Sequence, residues 1–350
     1  MDLKNAQYAE HVPASNGLRT GWVSDASMLT HDTGYGHPES SARLAAIEER
    51  LRAGKVLPGL VRLPPRAAER EELLLCHHED YIDLARTEIE QGAHTLSTGD
   101  TAVSHGSWRA ANMAVGCVLN AIDAVMQERV DNAFCSVRPP GHHASAGRGM
   151  GFCVFNNAAV GARYAQERHT QVSRVLIVDW DVHHGNGTQD IFYDDPTVFY
   201  MSSHQYPWYP GTGTHLETGH GSGIGTTFNA PFPAHTPPAE IVAVYENELV
   251  KRMDRFHPDL VIISAGFDSR VGDPLGHFLL EDDDFVTLTR ILMGIAARHA
   301  NGRLVSVLEG GYHLNGLASA VEAHLRALQV PVTTAASSEE GKDGSSGTER

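Results

Sequence analysis

The sequence predicts an α/β protein, a single domain with a mostly parallel central sheet flanked by helices. Three observations carry that expectation. Five short apolar, β-branched runs suit strands buried on both faces. Helical patterns alternate with them, and the connections are long enough to cross over the sheet. At 350 residues and 41% hydrophobic composition, the chain can bury one large core.

In chain order, HPESSARLAAIEERLRAG (37–54) reads as a helix that opens on a Pro/Glu turn and stops at glycine. CHHEDYIDLA marks another helix start, so His77 and His78 are assigned packing or solvated roles rather than metal binding. A long helical pattern over 104–128 leads into the strand NAFCSV (132–137), and NNAAVGARYAQER (156–168) returns the chain to the strand SRVLIVD (173–179). TVFYMS (197–202) is the next strand, then PAEIVAVYENELVKRMDRF (238–256) as one helix and DLVIISAG (259–266) as a strand. A helix over 281–300, the strand GRLVSVLE (302–309) and a helix over 315–329 complete the pattern. The domain therefore runs from about 18 to 330. The polar, glycine-rich tail 331–350 is expected to be disordered.

Composition excludes several classes. The amino terminus has neither a basic start nor a signal-length apolar run, and no window approaches a membrane span, so a soluble, cytoplasmic protein is expected. A net charge of -16 without a Lys/Arg cluster argues against nucleic-acid binding. Cys76, Cys117, Cys135 and Cys153 form no C-x-x-C pair and read as core thiols. Oligomerisation is left open.

Ligands of open parallel sheets bind outside the carboxyl ends of the strands, so the residues just after each run matter most. DWDVHHGNGT comes directly after SRVLIV. Alternation along an extended chain puts Asp179, Asp181 and His183 on one side and Trp180 and Val182 on the other. Asp268 arrives at the end of a neighbouring strand. Asp181, His183 and Asp268 then offer three N/O ligands with a fourth position open, the pattern of a catalytic zinc site. The competing reading, in which the aspartates cap the next helix and the histidines fill the core, weakens once all three groups sit at strand ends. Two carboxylate ligands offset most of the metal's charge, so a separate base is called for. GHH (141–143) supplies candidates in His142 and His143, with Asp179 and Asn186 as partners that set tautomer and pKa. In GGY (310–312), two glycines allow close approach and Tyr312 can donate to an oxyanion.

RPPGHHA, GFCVFNN, DWDVHHGNGTQDIFY, YPGTG, AGFDS, DPLG and LEGGY, in this order, resemble the zinc-dependent histone deacetylase and acetylpolyamine amidohydrolase superfamily. The likeness is to its class II branch and bacterial deacetylase-like amidohydrolases, over roughly residues 20–325. It implies the arginase/deacetylase fold and hydrolysis of an N-acyl amide, usually acetyl-lysine. It makes Asp181, His183 and Asp268 the zinc ligands, His143 the main base and acid, and His142 its electrostatic support. Asp179 would orient His142, Asn186 would hold His143 less firmly as a cation than an aspartate would, and Tyr312 would stabilise the transition state. Phe152 and Tyr209 would wall a lysine tunnel, with Gly151 beside them, Leu275 at the rim, and Asp100 gripping substrate amides. Structural potassium is implied at Asp179, Asp181, His183 and Ser202, and again at Phe192, Asp195, Val198 and Phe228, several of them through main-chain carbonyls. His204 and His215 flank YPGTG and are expected to line the rim.

Three alternatives compete with this reading. A binuclear manganese ureohydrolase needs further Asp and His ligands where this chain has GHH and GGY. A weakly active acyl-lysine reader is disfavoured by Tyr312 and the intact ligand set. Acetylpolyamine or another small acylated amine is the nearest rival substrate, against which stand Leu275 in place of a rim glutamate and the lack of an obvious long insertion over 77–105.

Overall fold

The computed structural model describes residues 17–332. Eight strands form one sheet: β1 (Thr20–Val23), β2 (Val61–Arg62), β3 (Asn132–Cys135), β4 (Val175–Asp179), β5 (Val198–Gln205), β6 (Thr227–Phe232), β7 (Leu260–Ala265) and β8 (Leu304–Leu308). Their order is β2-β1-β3-β8-β7-β4-β5-β6, and every pairing is parallel. The expected α/β class with a parallel sheet is thus observed. Every residue of β4, β7 and β8 is buried, as apolar runs covered on both faces should be.

The helices fall into two packed groups. Ser107–Met126 and Asn157–Arg168 pack on each other, while Leu314–Leu328 packs on both Ala42–Ala53 and Asp282–His299. Ala42–Ala53 ends at Gly54 as expected, but it starts after the His-Pro-Glu segment, because Glu39 is drawn into the core by Arg43 and Arg138. The helical stretch 238–256 is broken by a π turn at Tyr245–Leu249, where the buried Tyr245 hydroxyl meets Ser203 Oγ at 2.6 Å. β5 runs three residues beyond Ser202. Ser203, His204 and Gln205 are polar yet buried, each with a hydrogen-bond partner. All four cysteines are buried and free. The expected disorder beyond Val332, like the reading of the first sixteen residues, lies outside the described residues.

Candidate active site

The strand order places the carboxyl ends of β3, β8, β7 and β4 side by side, and each delivers part of one cluster. Beyond β4, Asp181 and His183 turn toward Asp268, which follows β7. His183 Nδ1 lies 3.0 Å from Asp181 Oδ1 and 3.2 Å from Asp268 Oδ2. The donor atoms of all three residues lie within 4.8 Å of one another. Main-chain amides fix the carboxylates: Gly310 N–H donates to Asp181 Oδ2 (2.8 Å), and Val182 N–H to Asp268 Oδ1 (2.9 Å). A Cβ on Gly310 or Gly266 would overlap these carboxylates, which explains glycine at both positions.

The donor set fits a divalent metal. Asp268 Oδ2 is buried and makes no hydrogen bond, an expensive condition for a carboxylate oxygen unless a cation meets it. Burial and the charge of Asp181 push the Asp268 carboxyl up to about 7. The His183 imidazole, which burial alone would depress, is raised to about 10 by Asp181 and Asp268. A metal bound here would replace that proton.

Beyond β3, GHH lies against this cluster, with the His142 and His143 rings 4.0 Å apart. Their partners differ in charge. His142 Nδ1 meets Asp179 Oδ2 at 3.0 Å, and His143 Nδ1 donates to Asn186 Oδ1 at 2.8 Å. Burial disfavours charge on both rings. At His142 the carboxylates of Asp179 and Asp181 overcome it and raise the pKa well above the usual value. At His143 nothing does: burial, charged His142 and His183 hold it well below. The amide acceptor leaves Nε2 of a neutral His143 with its lone pair free.

Asp100, His143, Gly151, Phe152, His183, Trp208, Tyr209, Leu275 and Tyr312 line one cavity of about 230 Å³. Gly151 (φ 56°) has no room for a Cβ beside the His143 ring, and Phe152 comes next at φ 69°, a conformation few non-glycine residues adopt. Tyr209 stands edge-on to His143 with centroids 5.2 Å apart, and Phe152 edge-on to Tyr312 at 5.9 Å. Asp100 joins the two walls, accepting from Gly151 N–H (2.7 Å) and Tyr209 Oη (3.1 Å). Burial and nearby Asp268 keep the Tyr312 phenol protonated. A larger cavity, about 480 Å³, opens at the opposite ends of β3 and β8, but its Arg19 and Asp131 are paired with each other, so the chemistry belongs to the smaller one.

Most of the other expected residues lie on or between β4, β5 and β6. Ser202 is buried, in register with Asp179 across the β4–β5 pair. Phe192 and Val198 are buried, Phe228 sits on β6, and the Asp195 carboxylate pairs with Arg163. His204 corrects its expected place at the rim: it is fully buried and bonded to the Gly213 carbonyl and Ser202, because it belongs to the extended β5. His215 is exposed. His77 is a packing residue, bonded to Ser145 O and Asn156 N–H. Sequence reasoning missed Trp208, which lines the cavity, and two buried carboxylates: Glu309, which accepts from Gly141 and His142 N–H, and Asp273. Their signal was their place inside motifs already recognised, LEGGY and DPLG.

Fold and site together set a buried three-donor cluster, of a kind that could hold a metal ion, at the carboxyl ends of a parallel sheet. Residues 37–328 match the histone deacetylase domain family, and the chain belongs to it. It is 39% identical to histone deacetylase 6 of Caenorhabditis elegans over 308 residues, 84% of this chain but 32% of that protein. It is 37% identical to a probable deacetylase of Archaeoglobus fulgidus, covering 85% of this chain and 82% of that protein. Against the human polyamine deacetylase HDAC10 the identity is 39%, over 85% of this chain and 45% of the relative. The crystal structure of the HDA15 HD domain superposes with a TM-score of 0.84 at 36% identity, over 89% of each chain.

Proposed function

We propose that this protein is a zinc-dependent deacetylase, acting in the cytoplasm, that hydrolyses N-acetyl amides such as acetyl-lysine to acetate and a free amine. One observation carries the reading: His183 of the three-donor cluster, a neutral histidine and a protonated tyrosine line the same narrow cavity. Asp181, His183 and Asp268 would hold zinc, which would supply Lewis acidity toward a water and the scissile carbonyl.

The chain's own groups do the rest. His143 Nε2 takes a proton from the attacking water, its tautomer fixed by Asn186. His142, charged against Asp179, stabilises the negative charge that develops nearby. Tyr312 donates its hydroxyl hydrogen bond to the oxyanion. The C–N bond breaks as His143 passes its proton to the leaving nitrogen, and acetate and amine result. Phe152 and Tyr209 hold the lysine stem beside Gly151, Leu275 stands at the rim, and Asp100 faces the substrate's main-chain amides. Potassium is assigned to Asp179, Asp181, His183 and Ser202, and to main-chain carbonyls around Phe192, Asp195, Val198 and Phe228, since Arg163 occupies the Asp195 carboxylate.

A small acylated amine is the second reading, favoured by the likeness to a polyamine deacetylase. The test is acetate release by zinc-loaded protein from an acetyl-lysine peptide and an acetylated polyamine, run side by side. Release from the peptide supports the proposal, and preference for the polyamine moves the substrate to the second class. Silence on both refutes the deacetylase reading in favour of a binding protein.

A further inference from the structure

The loop that carries Tyr312 begins with two glycines. Gly311 sits at φ 120°, and no side chain from either glycine holds the turn. Such a segment has more conformational freedom than any other dipeptide, so the direction of Tyr312 must be set from outside. Arg43 holds the carbonyl side, its Nε donating to Gly311 O at 2.7 Å. The amide side is held by one carboxylate. Asp273 Oδ2 accepts from Tyr312 N–H at 2.7 Å and from His313 N–H at 3.0 Å. Its other oxygen, Oδ1, accepts from Leu275 N–H at 3.0 Å. Leu275 O in turn accepts from Trp208 Nε1 at 2.8 Å, and Trp208 precedes Tyr209 in the cavity wall. Asp273 is 7% exposed, and its carboxylate accepts from main-chain amides.

We propose that Asp273 is a positioning residue for Tyr312: its buried carboxylate ties the glycine loop to the rim turn at Leu275 and so fixes where the tyrosine hydroxyl points. The proposal rests on the deacetylase reading, in which that hydroxyl meets the oxyanion. Charge-assisted hydrogen bonds to successive main-chain amides are the strong kind and leave little angular freedom. Alanine removes both ends of the tie. Asparagine keeps a single acceptor oxygen, which can serve only one of the two loops.

The experiment compares Asp273→Ala and Asp273→Asn, each alone and combined with Tyr312→Phe, by steady-state kinetics and by hydrogen exchange of the 310–316 segment. Asp273→Ala is expected to lower kcat by about tenfold or more with KM within about threefold, and Asp273→Asn to fall between it and the parent. In the Tyr312→Phe background neither costs more than about twofold, because the group being positioned is gone. The Tyr312 and His313 amides should exchange faster in Asp273→Ala. An equal loss in both backgrounds, or loss of the folded state in both variants, marks Asp273 as general scaffold and overturns the proposal, as does unchanged exchange. A parent protein that releases no acetate refutes the deacetylase reading instead, and the exchange rates still decide whether Asp273 holds the loop.

Discussion

Asn186→Asp tests the claim that an uncharged partner keeps His143 available as a base. The substitution retains the acceptor oxygen 2.8 Å from His143 Nδ1 and adds one negative charge. Two unit charges about 4 Å apart interact by about 4 kcal/mol at the effective dielectric that describes most protein sites. At about 1.4 kcal/mol per unit, the His143 pKa should rise by up to about three pH units. His143 begins well below the usual histidine value, because burial and charged His142 oppose its protonation. Catalysis by a neutral base is lost as pH falls through its pKa. The acid limb of the variant should therefore lie at higher pH than that of the parent, by up to about three units. The assay is kcat/KM against pH from about 5 to about 10 for both proteins, reading the acid limb. An acid limb that stays in place in the variant would refute His143 as the titrating base.

Tyr312→Phe should leave zinc content unchanged and cut turnover by about 100-fold or more, measured by acetate release and metal analysis; near-normal turnover removes the hydroxyl from the mechanism. Asp268→Ala should abolish metal uptake, because it removes one of the three donors. Full metal occupancy after dialysis would refute its role as a ligand. Gly151→Ala places a Cβ against the His143 ring at a positive φ. It should cost about 1–3 kcal/mol in thermal unfolding and most of the turnover.

What the sequence revealed depended on how far apart the cooperating residues lie. The strands β3, β4, β5, β7 and β8 were legible because each is an apolar, β-branched run, and a parallel sheet sends all their carboxyl ends to one side. β1 is a four-residue TGWV, β2 has two residues, and β6 carries Pro231 at the sheet edge. None makes a pattern long enough to read. The metal donors and the paired histidines could be picked out by residue type at strand ends. Asp273 and Glu309 could not, because they act through main-chain amides 39 and 168 residues away. Arg43 reaches across 268 residues. A sequence pattern records which side chain is present, not which distant amide it accepts from.

The charges beneath the site argue for a dication independently of geometry. Glu39 is fully buried between Arg43 and Arg138, so its charge is more than offset within that group. Asp179 is paired with His142, whose raised pKa supplies the matching cation. Asp181 and Asp268 share His183, and one imidazolium against two carboxylates leaves a buried unit of negative charge. Low-dielectric surroundings penalise such an excess heavily. Burial, and then the charge of Asp181, raise the Asp268 carboxyl, since taking up a proton is the cheapest remedy available to the protein alone. A doubly charged ion brings the group to neutrality with His183 uncharged and both carboxylates ionised, the protonation state metal ligation requires. A monovalent ion in the same place leaves the deficit, so uptake at these three residues should select zinc over potassium. Sodium or potassium titration that failed to displace zinc, alongside loss of zinc in Asp268→Ala, is the paired result this charge count demands.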